Sequence, residues 1–82
     1  MTEIRFTNAA KDQLAKIDRN IRLRIYQKLE EIIDRPDHFL KPLVGYPYFR
    51  LRVGDHRVII DWQKNRDQLW IVAVGHRKHI YE

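Results

Sequence analysis

Cysteine is absent from these 82 residues, so neither a disulfide nor a thiolate metal site is available, which fits a reducing cytoplasm. No apolar run is long enough to cross a bilayer. The opening residues Met1 to Phe6 place no charged head before an apolar block, so no secretory signal is expected. Glycine and proline number only three each, and no repeat or low-complexity tract is present. Acids are outnumbered, 11 against 16 lysines and arginines, for a net charge of +5 and a pI near 9.8. What is there is a globular composition, 44% hydrophobic and 33% charged, of a length that supports one domain, 1–82, with a single modest core. A basic balance points to polyanionic partners, nucleic acid foremost, and no membrane. Residues 46–82 hold seven bases against four acids, so the second half is the expected nucleic-acid face.

Periodicity sorts the first half into a strand and two helices. Thr2 to Phe6 alternates, with Ile4 and Phe6 inward, as a short strand does. Thr7 reads as the N-cap of a helix from Asn8 to Ile17, in which Ala10, Leu14 and Ile17 recur at helical spacing. Asp18 can cap a second helix, with Ile21, Ile25, Leu29 and Ile32 in one stripe and Pro36 as its stop. Leu23 lies off that stripe, among arginines, where it could touch a partner. Residues 37–47, with Pro42, Gly45 and Pro47, read as an ordered loop.

The second half is organised around a hairpin. Gly54-Asp55 separates two alternating runs, and a two-residue loop with glycine first favours a type II′ turn. Val53 then opposes His56, Arg52 opposes Arg57, Leu51 opposes Val58, Arg50 opposes Ile59 and Phe49 opposes Ile60. One face is apolar; the other carries Arg50, Arg52 and Arg57. Like charges directly opposite one another destabilise a sheet, yet three converging guanidiniums with only Asp61 nearby make an anion site that suits phosphate. Tyr48 falls on the same face by alternation and is the stacking candidate for a base. After a turn at Lys64 to Asp67, Leu69 to Val74 is apolar on both sides, as a central strand is. Antiparallel pairing with His56 to Trp62 brings Arg77 near Arg52 and Arg57. Ile80 to Glu82 can add a last extended segment. The expected architecture is α+β: a short strand, a helical hairpin, then a three-stranded antiparallel meander, with the helices on one face of a mostly antiparallel sheet.

Three passages carry a family likeness: the strand followed by the helical hairpin, Phe49-Arg50-Leu51-Arg52-Val53-Gly54-Asp55-His56-Arg57-Val58-Ile59-Ile60, and Val72-Ala73-Val74-Gly75-His76-Arg77-Lys78-His79-Ile80-Tyr81. Together they span nearly the whole chain, which resembles RelE-type toxins of the RelE/ParE toxin–antitoxin superfamily. The resemblance implies metal-independent cleavage of mRNA in the ribosomal A site by the ribose 2′-hydroxyl, without a cofactor. It also implies a RelB-like antitoxin, the ribosome and mRNA as partners. Carried over by position, Arg57 and Arg77 match the phosphate-stabilising arginines and Tyr81 the catalytic tyrosine. Arg52 joins them at the phosphate, while Arg50, Arg52 itself, Tyr48, His76 and Lys78 are candidates for holding RNA.

Arg50 and Arg52 stand where well-known members place lysines. An arginine stays protonated, so neither can act as a base, and proton movement falls to Tyr81, His76 or His79. No third ligand of fitting spacing accompanies the two histidines, so no metal is expected. Two other functions remain open: a ParE-like toxin that binds DNA gyrase without chemistry, and an RNA-binding module with a degenerate site.

Overall fold

The two expected helix caps form, and they set the helical hairpin. In the computed structural model, which describes residues 2–80, Thr7 Oγ1 accepts the N–H of Ala10 at 3.1 Å and starts α1 (Asn8–Ala15). Asp18 accepts the N–H of Asn20 at 3.1 Å and starts α2 (Arg19–Ile32). α1 stops two residues before the expected Ile17, where the N–H of Lys16 closes onto Gln13. Ala10, Leu14, Ile25, Leu29 and Ile32 are buried against the sheet, whereas Leu23 stays 44% exposed.

The sheet has five strands, β1 (Glu3–Phe6), β2 (Lys41–Pro42), β3 (Phe49–Val53), β4 (His56–Gln63) and β5 (Gln68–His76), in the order β1-β5-β4-β3-β2. The three long strands form the antiparallel meander, and β1 joins parallel to β5. The helical hairpin is the crossover that a parallel pairing requires. β5 therefore lies between two neighbours, the central place expected of it, with Leu69, Ile71 and Val74 buried and Trp70, Val72 and Ala73 half-buried. The architecture is α+β, with the helices on one face of the sheet.

Residues 37–47 differ from the expected loop. Pro36 ends α2 but also opens a short helix, α3 (Pro36–Phe39), because its fixed φ and missing N–H suit a first helical position. β2 follows at once and pairs Lys41 with Arg50 and Pro42 with Phe49. Proline is tolerated there because β2 is an edge strand.

β4 and β5 pair with a one-residue irregularity: Ile60 meets Ile71, Ile59 meets Ala73, and Val72 is the extra residue. Ile71 and Val74 are an odd number of positions apart, so plain alternation would turn one of them away from the core; the bulge buries both. Gln13 of α1 serves this irregular ladder, its Oε1 accepting the N–H of Val74 at 2.7 Å.

Candidate nucleic-acid interface

The hairpin turn places the basic residues. Gly54 has φ +60°, and among the described residues Asp67 is the only non-glycine with positive φ, so Asp55 adopts an ordinary φ and the loop is type II′. Strand pairing then follows the expected register from Val53 with His56 to Phe49 with Ile60, and sets Arg52 across from Arg57. Leu51, Val53, Val58 and Ile60 enter the core; Arg50, Arg52 and Arg57 project to the opposite face, with Lys41 joining from β2 beside Arg50. Ile59, across from Arg50, is fully buried even though it lies on that side.

Phe39, Lys41, Arg50, Arg52 and Arg57 line one pocket of about 200 Å³, with no carboxylate in its wall. Arg52 donates from Nε to the Gly54 carbonyl at 3.4 Å, and Arg57 from Nη1 to the His56 carbonyl at 3.3 Å. Tethering to their own hairpin lowers the rotamer entropy that an incoming anion would have to remove. Four cations around one aromatic wall can hold a phosphodiester by charge-assisted hydrogen bonds while a base or sugar packs on the ring. Asp61 faces Trp70 across the ladder, accepts from Gln63 Nε2 at 3.1 Å and does not line the pocket.

The other candidates are placed less centrally. The N–H of Arg77 donates to the Asp55 carbonyl at 2.8 Å, which ties the end of β5 to the hairpin turn. Tyr48 directly precedes β3, its carbonyl accepting the N–H of Leu43 at 3.0 Å, and its ring is not among the pocket's walls. His76 pairs with His56 on the helix-facing side, with ring centroids 5.5 Å apart and His79 6.2 Å beyond. Lys78 is exposed just past it and donates its N–H to His76 Nδ1 at 3.2 Å. Tyr81 lies outside the described residues. Two wall residues, Phe39 and Lys41, carry no signal in the sequence, since a two-residue edge strand has no periodicity and only its pairing sets Lys41 beside Arg50.

A family model described as the ParE toxin of type II toxin–antitoxin systems matches residues 4–81. The chain belongs to the RelE/ParE superfamily of type II toxins. This toxin is similar to a chain of the RelB–RelE antitoxin–toxin complex from Methanococcus jannaschii, at 30% identity over 94% of each chain and a TM-score of 0.75. It is also similar in fold to the RelBE2 toxin–antitoxin complex from Mycobacterium tuberculosis, at 24% identity, 93% of this chain, 98% of that one and a TM-score of 0.85. The intact RelBE complex of E. coli gives 20% identity, 93% and 96% coverage and a TM-score of 0.78. No curated protein sequence matches it significantly.

Electrostatics on the toxin's helix-facing side differ from those of the pocket. Burial holds the His56 pKa below its usual value, the neighbouring His76 and Arg24 push the same way, and Asp55 opposes them. The His56 imidazole is therefore biased towards the neutral form on the side away from Arg50. Among the described residues no group of three or more histidines, aspartates or glutamates is arranged to hold a metal ion, and no helix is long and apolar enough to cross a membrane.

Proposed function

We propose that this toxin is a ribosome-dependent mRNA endonuclease whose open-face pocket holds the scissile phosphate in the A site. The observation that carries the reading is the wall of Lys41, Arg50, Arg52 and Arg57 around one small cavity. In the proposed reaction the ribose 2′-oxygen attacks the adjacent phosphorus, the P–O5′ bond breaks, and a 2′,3′-cyclic phosphate and a 5′-hydroxyl result. A proton leaves the 2′-hydroxyl and one reaches the departing 5′-oxygen. Between these events charge builds on the non-bridging oxygens, where fixed guanidiniums stabilise the phosphorane more than the ground state. Arg52 and Arg57 take that role, Arg50 and Lys41 hold the strand, and Arg77 approaches from the turn. By family likeness the proton carrier is Tyr81. A RelB-like antitoxin, small and acidic, is the proposed neutralising partner.

A second reading, binding to DNA gyrase without chemistry, draws on the description of the matching family model. A coupled translation reaction supplied with the purified toxin separates the two. Message cut within A-site codons is the expected outcome; intact message together with inhibited supercoiling would favour gyrase.

A further inference from the structure

A second basic cavity, of about 260 Å³, lies over the hairpin turn, lined by Arg24, Gln27, Lys28 and Glu31 of α2 together with Arg52, Val53 and Gly54. It is continuous with the first in two ways. Arg52 lines both. Lys28, a wall of the second, sits 4.7 Å over the ring of Phe39, a wall of the first. The Arg24 guanidinium lies directly on the turn, its Nη2 3.3 Å from where a β-carbon on Gly54 would stand, a close approach that any side chain there would push back by a few tenths of an ångström. Glu31 is the one carboxylate in this wall, and Lys28 meets it at 3.5 Å, which leaves Arg24 and Arg52 as the cations of the cavity that no described carboxylate engages.

We infer that Arg24 forms a second phosphate subsite for single-stranded RNA, so that the strand runs from the open-face pocket past Arg52 and over the turn to α2. The inference rests on the nuclease reading for the identity of the strand. Two subsites sharing one arginine fix the direction of the backbone as well as its position, which a single pocket cannot do. Arg24 is a binding residue in this scheme and does not touch the reacting phosphorus.

The test is the salt dependence of binding to a short 2′-O-methylated RNA oligonucleotide, which cannot be cleaved, followed by fluorescence anisotropy. For a single strand, each phosphate that the protein no longer neutralises makes the slope of log K against log salt shallower by about 0.7. Arg24→Ala is expected to show that change and to bind more weakly at low salt, Arg24→Lys to retain most of the slope, and Arg66→Ala, in the turn at the far end of β4, to match the unaltered toxin. Arg24 is exposed on a helix surface, and a thermal melt checks that its variants fold. An unchanged slope for Arg24→Ala beside a reduced one for Arg57→Ala would overturn the subsite, as would absence of salt-dependent binding by the unaltered toxin. A shallower slope in Arg24→Ala from a toxin that leaves translated message intact would keep the subsite and remove the nuclease.

Discussion

Arg52 and Arg57 face each other across β3 and β4 one pair beyond the closing pair of a two-residue loop, a position where side chains of an antiparallel ladder stand close. Selection for stability alone would not put two guanidiniums there. Replacing Arg52 by Thr is therefore expected to leave stability unchanged or raise it by up to about 1 kcal/mol in urea unfolding, while message cleavage falls. Arg57→Ala is expected to cost roughly 10²–10³-fold in cleavage rate, the scale of one transition-state donor. A variant that became less stable and kept its rate would assign the pair to structure. At the turn, Gly54→Ala meets both a positive φ and the Arg24 guanidinium, and a loss of roughly 1–2 kcal/mol is expected. His56 supplies a pH test. Its folded pKa lies below the ordinary 6.5, so the unfolded chain takes up the proton first; stability is full above that value and declines as pH falls below it. Melting temperatures measured through this window should fall for the unaltered protein and flatten for His56→Gln. Glu3 and Asp67, held below their ordinary 4.5 and 3.8 by hydrogen bonds from Arg5 and from Thr2, add their own losses only at lower pH.

Among the elements, the hairpin was legible because one dipeptide fixes it: Gly54-Asp55 sets loop length, turn type and, through the pleat, which side chains share a face. The helix caps were legible for a similar reason, since Thr7 and Asp18 act within three residues of themselves. β5 was not. Its register depends on a bulge at Val72 that lets Ile71 and Val74 both reach the core, and an apolar run carries no mark of where it slips. The Gln13 amide that receives the Val74 N–H comes from an element 61 residues away, and such pairing is invisible to local pattern. Gln13→Leu leaves that N–H without its partner and is expected to cost about 1–3 kcal/mol in equilibrium unfolding. A cost near zero would mean that water or a shifted backbone replaces the glutamine. α3 and β2 were unreadable for the same reason as the register of β5: two residues of edge strand exist only because β3 is there to pair with them. The pocket's missing walls, Phe39 and Lys41, followed from that.

At the scale of the molecule, one sheet divides two environments. Helices cover one face with an aliphatic core; the other face and the adjoining turn gather Lys41, Arg50, Arg52, Arg57 and Arg24, which is where much of the net +5 becomes directional. A polyanion is drawn to that side, and a RelB-like acidic antitoxin would compete for it through the same charge. Co-expression with such a partner is expected to suppress growth arrest by the toxin, and arrest unaffected by any adjacent small acidic protein would count against this. The most direct test concerns the RNA ends themselves. Messages recovered from translating ribosomes treated with the toxin should carry 2′,3′-cyclic phosphates at breaks within A-site codons, and Arg57→Ala should abolish most of them. Breaks ending in 3′-hydroxyls, or no breaks while ribosomes are occupied, would contradict a phosphate pocket that works through the 2′-hydroxyl.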